Sequence, residues 1–188
     1  DLPFDQIQKG LCLGCKNQVE RLASPQCSLC GAEVPEFSFR SRCLECKRNP
    51  RNFSHGTSFL KYTRSLKVLI RKAKYHKRFE LWGELSKNMD LRKEKLFKKI
   101  DVITSVPMTR LELYKREMNA SELLAKRLAK ISKIPYQKLL KKTRNTKPQA
   151  HLTRDLRKTN LGGAFRVKAD KAVRRKRILI VDDIFTTG

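Results

Sequence analysis

The last eleven residues constrain what this chain can fold into more than any other segment. Four consecutive apolar residues, 178–181, are followed by Asp182 and Asp183 and then by a turn over 184–188. An uninterrupted apolar run predicts a strand that is buried on both faces, which is typical of parallel sheets. Ligands of such sheets bind where the strands end. The segment therefore predicts an α/β fold that presents two carboxylates at a sheet edge.

The residues after this strand combine two kinds of ligand-binding group. Carboxylates bind Mg²⁺ and accept hydrogen bonds from sugar hydroxyls, whereas a hydroxyl- and glycine-containing turn at a helix start donates to a phosphate. A phosphorylated ribose needs both within one turn. Asp182, Asp183, Thr186, Thr187 and Gly188 are similar to the phosphoribosyl diphosphate (PRPP) motif of type I phosphoribosyltransferases. The alternative is a plain strand end with a capping aspartate.

Periodic segments upstream are consistent with this fold class. Residues 100–106 are rich in β-branched side chains and stop at Pro107, which predicts a second strand. Asn119 and Glu122 have the spacing of a capping box and predict a helix that stops before Pro135. Strand, helix and strand in this order, with apolar strand interiors, indicate a parallel sheet with helices on both faces.

Two further helices and a flap are predicted around these elements. The first helix combines an apolar face, Phe59, Tyr62, Leu66, Leu69, Ile70 and Ala73, with a basic stripe, Arg64, Lys67, Arg71 and Lys74. A short helix is predicted over Leu81, Trp82 and Leu85. Residues 141–160 are polar and contain Pro148, which predicts a long functional loop or flap.

All six cysteines occur as CxxC pairs near the start of the chain. The pairs are Cys12/Cys15, Cys27/Cys30 and Cys43/Cys46. Two such pairs can surround one zinc ion tetrahedrally and leave no position open for water, so the zinc is structural. Cys27, Cys30, Cys43 and Cys46 have the spacing of a zinc ribbon, and Gly31 tolerates the positive φ of a tight knuckle. A disulfide framework is the alternative, but the cysteines are concentrated in one short segment without a secretory signal.

Positive charge is concentrated after residue 55. The chain has 44 lysines and arginines against 18 aspartates and glutamates, a net charge of +26. Residues 1–55 contribute only +2, so residues 56–188 carry +24. Such a field attracts polyanions, either nucleic acid or a polyphosphorylated small molecule, although lysine-rich surfaces also serve solubility alone. We predict a zinc ribbon module over 1–55 and an α/β domain over 56–188.

Membrane insertion is not expected from the sequence. No run of about 20 apolar residues occurs, so no transmembrane helix is predicted. The acidic residues 1–5 lack the apolar core of a secretory signal. We therefore expect a cytoplasmic protein.

Taken together, these motifs resemble those of the ComF-type competence proteins, which join an N-terminal double zinc ribbon to a phosphoribosyltransferase-like domain. Tyr62 and Lys74 match the first helix of that domain. Val106-Pro107, Arg116 and Asn119 match the stretch after its first strand. The flap segment matches at Arg144, Thr146, Pro148, Gln149, Leu152, Arg157, Asn160, Leu161, Gly163, Ala164 and Phe165.

The chain departs from the family pattern in three places. Residues 117–120 read Glu-Met-Asn-Ala where the family has Gly-Phe-Asn-Gln, which weakens the transfer of contacts beside the pyrophosphate. The family continues beyond the phosphate loop and has a CxxC pair upstream of the one that matches Cys12 and Cys15. The resemblance thus implies that this chain is truncated at both ends and that Cys12 and Cys15 are half of a second zinc site.

The resemblance implies Mg²⁺ and PRPP as ligands of the α/β domain. Asp182 and Asp183, the candidate catalytic residues, would hold the ribose 2′- and 3′-hydroxyls. The segment Thr186-Thr187-Gly188 would begin the 5′-phosphate cradle, and Lys115 and Arg116 would face the pyrophosphate. Cations there would offset charge that develops on the leaving group.

Two functions remain open at this point. The first is a role in DNA uptake and natural transformation, with a PRPP-like ligand, Mg²⁺, single-stranded DNA and a competence helicase as partners. The second is a catalytically active phosphoribosyltransferase of nucleotide metabolism that transfers phosphoribose from PRPP to an unknown acceptor. We rank the first ahead because the resemblance associates the family with transformation, while fold alone does not decide between them.

Overall fold

A computed structural model describes residues 11–36, 42–87, 89, 97, 99–146, 160–168 and 173–185. Along the chain it divides into two units, of which the first ends at Lys72 and the second begins at Ala73. The fold is mixed α/β, with a small parallel sheet in the second unit and a cluster of four cysteines in the first.

The first unit is built around cysteine-containing turns. Helix α1 (Leu13–Asn17) and helix α2 (Leu44–Arg48) each begin directly after a cysteine. The buried cluster is small, and it consists of Cys27, Leu29, Cys30 and Cys46, with Val34, Cys43 and Phe53 packed against it. Because so few apolar side chains are buried, metal binding is the natural source of stability for this segment.

Helix α3 (Arg64–Tyr75) begins later than its apolar pattern predicts. The Thr63 hydroxyl accepts a hydrogen bond from the Leu66 amide at 3.2 Å and so caps the helix. Phe59 and Tyr62 therefore lie before the helix rather than on its face. The residues predicted for its inner face within the helix are buried: Leu66, Leu69, Ile70 and Ala73.

The second unit contains the parallel sheet. Strand β1 (Val102–Ser105) pairs in parallel with strand β4 (Ile178–Val181), in a register that sets Ser105 opposite Val181. Helix α6 (Ala120–Ser132) packs on both strands and on helix α4 (Glu80–Ser86). The predicted short helix and both predicted strands are confirmed.

Strand β4 is less buried than its four apolar residues predict. Ile180 is 55% exposed, and Ile178 and Leu179 are only half-buried, whereas all of β1 is buried. Among the described strands, β4 pairs with β1 alone. The prediction that both of its faces are buried is therefore wrong, because an apolar run cannot specify which neighbours will cover it.

Three elements of the second unit occupy segments for which the sequence predicted no regular structure. Helix α5 (Arg110–Arg116) follows β1. Strand β2 (Leu140–Lys142) pairs antiparallel with strand β3 (Phe165–Val167), so the start of the predicted loop at 141–160 is a strand. Residues 147–159, which include the matched Pro148, lie outside the described residues.

No helix in the described part of the chain is both long enough and apolar enough to span a membrane.

Candidate metal centre and carboxylate site

The four cysteines predicted to bind zinc come together. The Sγ atoms of Cys27, Cys30, Cys43 and Cys46 all lie within 4.8 Å of one another. The Sγ atoms of Cys30 and Cys43 are 3.7 Å apart. Zinc with Zn–S bonds of about 2.3 Å in a tetrahedron would separate its sulfurs by about 3.8 Å. The donor set and its spacing therefore fit a zinc ion.

A tight turn at Gly31 shapes the first half of this cluster. Gly31 has φ of +70°, as the sequence predicts, and its amide donates to the Cys27 carbonyl at 3.0 Å. A Cβ at this position would lie 2.8 Å from the Gly56 carbonyl oxygen. Only glycine fits both the backbone conformation and the space.

Hydrogen bonds from backbone amides favour the thiolate form of Cys27. The Cys43 amide donates to Cys27 Sγ at 3.3 Å. Although burial alone would raise the pKa of Cys27, this amide and those of Cys30 and Leu29 lower it to about 6. Burial raises the pKa of Cys30 to about 12, because fewer favourable contacts offset the loss of water. A bound cation would favour the thiolate form of all four.

The remaining pair, Cys12 and Cys15, repeats the geometry of Cys43 and Cys46. In both pairs a leucine follows the first cysteine and a lysine follows the second. The first cysteine of each pair is the N-cap of a five-residue helix. Their N-cap conformations agree, with φ and ψ of −63° and 161° for Cys12 and −61° and 159° for Cys43. Within the described residues no further cysteine, histidine or acidic residue joins Cys12 and Cys15 in a cluster of three or more.

The carboxylate site lies at the end of strand β4. Asp182 and Asp183 follow Val181, as predicted, and each carboxylate is held by a different group. The Ser121 hydroxyl donates to Asp182 Oδ1 at 2.8 Å. Lys74 Nζ lies 2.6 Å from Asp183 Oδ2.

Helix α6 is oriented so that its first turn reaches this site. Asn119 caps the helix by accepting from the Glu122 amide at 3.3 Å, as predicted. Its Nδ2 also donates to the carbonyl of Val106 at 3.0 Å, and the Val106 amide donates to the Val181 carbonyl at 3.0 Å. One asparagine thus ties the start of α6 to the carboxyl ends of β1 and β4, where Ser121 meets Asp182.

The carboxyl of Asp182 is electrostatically perturbed. The residue keeps an exposed surface, but the protein around its carboxylate removes enough water to raise its pKa, and the charge of Asp183 raises it further. The Ser121 hydrogen bond and the Lys74 charge act in the opposite direction and are weaker. Such a perturbed carboxyl at a sheet edge is typical of a ligand site.

The other predicted site residues are not all brought to the carboxylates. Lys115 is exposed on α5, and the guanidinium of Arg116 lies over the Tyr75 ring, 5.5 Å from its centroid. Within the described part of the chain, neither cation contacts Asp182 or Asp183 through a hydrogen bond or ion pair. Thr186, Thr187 and Gly188 lie outside the described residues.

Sequence reasoning missed Ser121 and misassigned Lys74. Ser121 follows the capping asparagine, but its role depends on a partner 61 positions away. Lys74 was grouped with Arg64, Lys67 and Arg71 in a basic stripe on the first helix. It is instead only 16% exposed in its side chain and is paired with Asp183, whereas Arg64, Lys67 and Arg71 are exposed.

Comparison with curated proteins gives the family. DNA utilization protein YhgH of Salmonella typhimurium is 30% identical over 195 residues, which cover the whole chain and 83% of that protein. The chain belongs to the YhgH family. The YhgH proteins of Escherichia coli K12 and Shigella flexneri are each 29% identical over 187 residues, which cover 95% of the chain and 79% of the relative. No family model matches the chain, and no solved structure matches it.

Proposed function

We propose that this chain serves DNA uptake and natural transformation through an α/β domain that binds a PRPP-like ligand with Mg²⁺. The observation that carries the proposal is the pair of adjacent carboxylates at the carboxyl end of a parallel strand, with separate partners in Lys74 and Ser121. Membership of the YhgH family, whose members are named for DNA utilization, supports the biological role.

In this proposal each group of site residues binds a different part of the ligand. Asp182 and Asp183 accept hydrogen bonds from the ribose hydroxyls. The segment Thr186-Thr187-Gly188 donates to the 5′-phosphate. Lys115 and Arg116 attract the pyrophosphate by charge. Mg²⁺ would neutralise part of the ligand's negative charge.

The proposed architecture is a type I phosphoribosyltransferase-like domain over 56–188, preceded by a zinc ribbon module over 1–55. Its zinc is structural and is held by Cys27, Cys30, Cys43 and Cys46, whose sulfurs are close enough for one ion. Cys12 and Cys15 form half of a second site, for which their repeat of the Cys43 geometry is the support. The protein acts in the cytoplasm with a competence helicase as partner.

Calorimetric titration of PRPP with Mg²⁺ tests the ligand site. The wild type is expected to bind, and a variant with Asp182→Asn and Asp183→Asn keeps the size of both side chains but removes their charges. Loss of each charged hydrogen bond costs roughly 1.5–3 kcal/mol. Equal affinities in a folded variant would overturn the site.

Single-stranded DNA is the second proposed ligand, and it is supported by the net charge of +24 over residues 56–188. Binding is expected to show little sequence preference and a steep decrease with salt, because bound lysines and arginines release counterions from several phosphates. Fluorescence titrations of an oligothymidylate at several salt concentrations measure this slope. A flat slope, or no binding at low salt, would contradict the proposal.

A catalytically active phosphoribosyltransferase is the alternative function. The raised pKa of Asp182 favours it, because a carboxyl of this kind can exchange protons nearer neutral pH. Turnover of PRPP to pyrophosphate in the presence of candidate acceptors would establish the enzyme. Single-strand affinity that PRPP does not alter, without turnover, would favour the binding role.

A further inference from the structure

Helix α5 presents an unusually exposed apolar surface. The side chains of Leu111, Leu113 and Tyr114 are 49%, 44% and 83% exposed, and no residue of the helix is buried. Most short helices are held by burying an apolar face. Contiguous exposed apolar residues rimmed by polar groups mark interaction sites.

Polar contacts fix this helix in place of a buried face. The Thr109 hydroxyl accepts from the Glu112 amide at 3.2 Å, and the Glu112 carboxylate accepts from the Thr109 amide at 2.9 Å, which completes a capping box. Lys142 of β2 donates to the same carboxylate at 2.6 Å. At the other end, Glu117 adopts φ of +59° and stops the helix. The exposed side chains are therefore presented from a preorganised element.

The charges around α5 favour an anionic partner. Glu112 within the helix is paired with Lys142, and Glu117 at its C-cap is paired with Lys77. Among the described residues, Arg110 and Lys115 form no ion pair. Arg110 and Tyr114 are four positions apart and so share one helix face.

An open depression of about 720 Å³ lies along this helix. It is lined by Arg110, Leu113, Tyr114, Lys115 and Glu117. An exposed aromatic ring that shares a helix face with the Arg110 guanidinium matches a chain of bases and phosphates, because bases stack on aromatic side chains while cations bind the backbone. A second copy of this chain is disfavoured as the occupant, since each copy carries a net charge of +26.

We propose that Arg110 and Tyr114 form a binding surface for single-stranded nucleic acid, in which one base stacks on the Tyr114 ring. The inference rests on the proposed binding of single-stranded DNA and assigns it a place on the molecule. Arg110 binds a phosphate next to the stacked base, while Lys115 belongs to the proposed pyrophosphate site. The ring stacks on any base, so the surface has little sequence preference.

A comparison of two strands separates stacking from charge. The probes are an oligothymidylate of about 12 nucleotides and an abasic strand of equal length, which keeps the phosphates but lacks bases. Tyr114→Ala is expected to weaken oligothymidylate binding about tenfold and to leave abasic binding unchanged. Tyr114→Phe keeps the ring and is expected to bind like the wild type. Arg110→Gln is expected to weaken both strands and to reduce the salt slope by about one.

The matched control is Tyr62→Ala, which removes another exposed tyrosine, 51% exposed and outside the second unit. This variant is expected to bind both strands like the wild type. Failure of the wild type to bind any strand would remove the proposed single-strand function and this inference together. Normal wild-type binding with an unchanged Tyr114→Ala affinity would overturn only the inference, as would an equal loss in Tyr62→Ala. Loss of self-association in Tyr114→Ala without loss of oligothymidylate binding would assign the surface to protein contact and also overturn it.

Discussion

Lys74 and Asp183 form an ion pair with 2.6 Å between Nζ and Oδ2, and their side chains are only 16% and 14% exposed. The pair gives Asp183 a cationic partner, whereas the neighbouring Asp182 has a hydroxyl partner in Ser121. Two carboxylates that are adjacent in sequence therefore occupy different electrostatic environments. A ligand that binds Asp183 must share this carboxylate with Lys74 or displace the lysine from it.

A double-mutant cycle over Lys74→Met and Asp183→Asn should reveal strong coupling. Loss of one partner leaves the other charge poorly solvated, so each single variant should lose stability, whereas the double variant should recover part of it. The expected coupling is about 1–3 kcal/mol in urea unfolding. The exposed pair Lys77 and Glu117 is the control, with an expected coupling of about 0.2–1 kcal/mol. Equal coupling in both cycles would contradict the importance of burial.

The raised pKa of Asp182 should make its charge unfavourable to folding at neutral pH. As pH rises from the ordinary value of 3.8, the unfolded chain releases this proton before the folded protein does. The contribution of this group to folding stability therefore falls as pH rises from the ordinary pKa of Asp182 to its raised pKa in the folded protein. Asp182→Asn should be more stable than the wild type at about pH 7 and equally stable below the ordinary pKa of Asp182. Each kcal/mol of difference corresponds to about 2–4 °C in Tm. Thermal unfolding across pH measures this difference, and a less stable variant at neutral pH would refute the sign.

Glu112→Gln should show the opposite pH dependence. Burial alone would raise the pKa of Glu112, but the hydrogen bonds from Lys142 and the Thr109 amide hold it below the ordinary value of 4.5. The group therefore stabilises the fold above that value, and this contribution is lost as pH falls through the folded pKa. Glu112→Gln is expected to lose about 1 kcal/mol at neutral pH and nothing in acid. Urea unfolding at both pH values, alongside Asp182→Asn, tests whether the two signs differ.

Zinc content should follow the four-cysteine cluster. Replacement of Cys27 and Cys43 by serine removes one ligand from each CxxC pair, so the variant is expected to lose the zinc bound there. Cys12→Ser with Cys15→Ser is the matched control and should retain that ion. Elemental analysis of protein purified without chelator gives the stoichiometry. Unchanged zinc in the Cys27 and Cys43 variant would refute the assignment.

Gly31→Ala should weaken the same centre without removing a ligand. The substitution forces a Cβ to within 2.8 Å of the Gly56 carbonyl at a positive φ, so we expect a loss of about 1–3 kcal/mol. Gly14→Ala is the control, since nothing lies within 4 Å of its added Cβ. That change lies within helix α1 and should be neutral or stabilising by up to about 1 kcal/mol. In chelator-induced unfolding, Gly31→Ala should unfold at a lower chelator concentration than Gly14→Ala.

Local chemistry explains which parts of the structure could be predicted from the sequence. Asn119 caps its helix because its side chain reaches an amide three residues away, and Gly31 turns because it lacks a Cβ. The strand before Asp182 follows from its own apolar residues. The cysteine cluster follows from the spacing of two turns, each of which holds its pair of sulfurs close together. The cap, the turn and the strand depend on contacts within a few residues, whereas the cluster also requires the two turns to meet across 13–16 positions.

Contacts between distant segments were decided only by the tertiary structure. In the sequence Lys74 belongs to a basic stripe, and only the fold brings the end of β4, with Asp183, to it. Ser121 acquired its role from Asp182, 61 positions away. The exposure of Ile180 and of Tyr114 likewise depends on which elements cover them. The sequence by itself determined the elements and the chemical groups at their ends, because capping, periodicity and turn conformation are local, whereas burial and ion pairing depend on the packing of segments that are far apart in the chain.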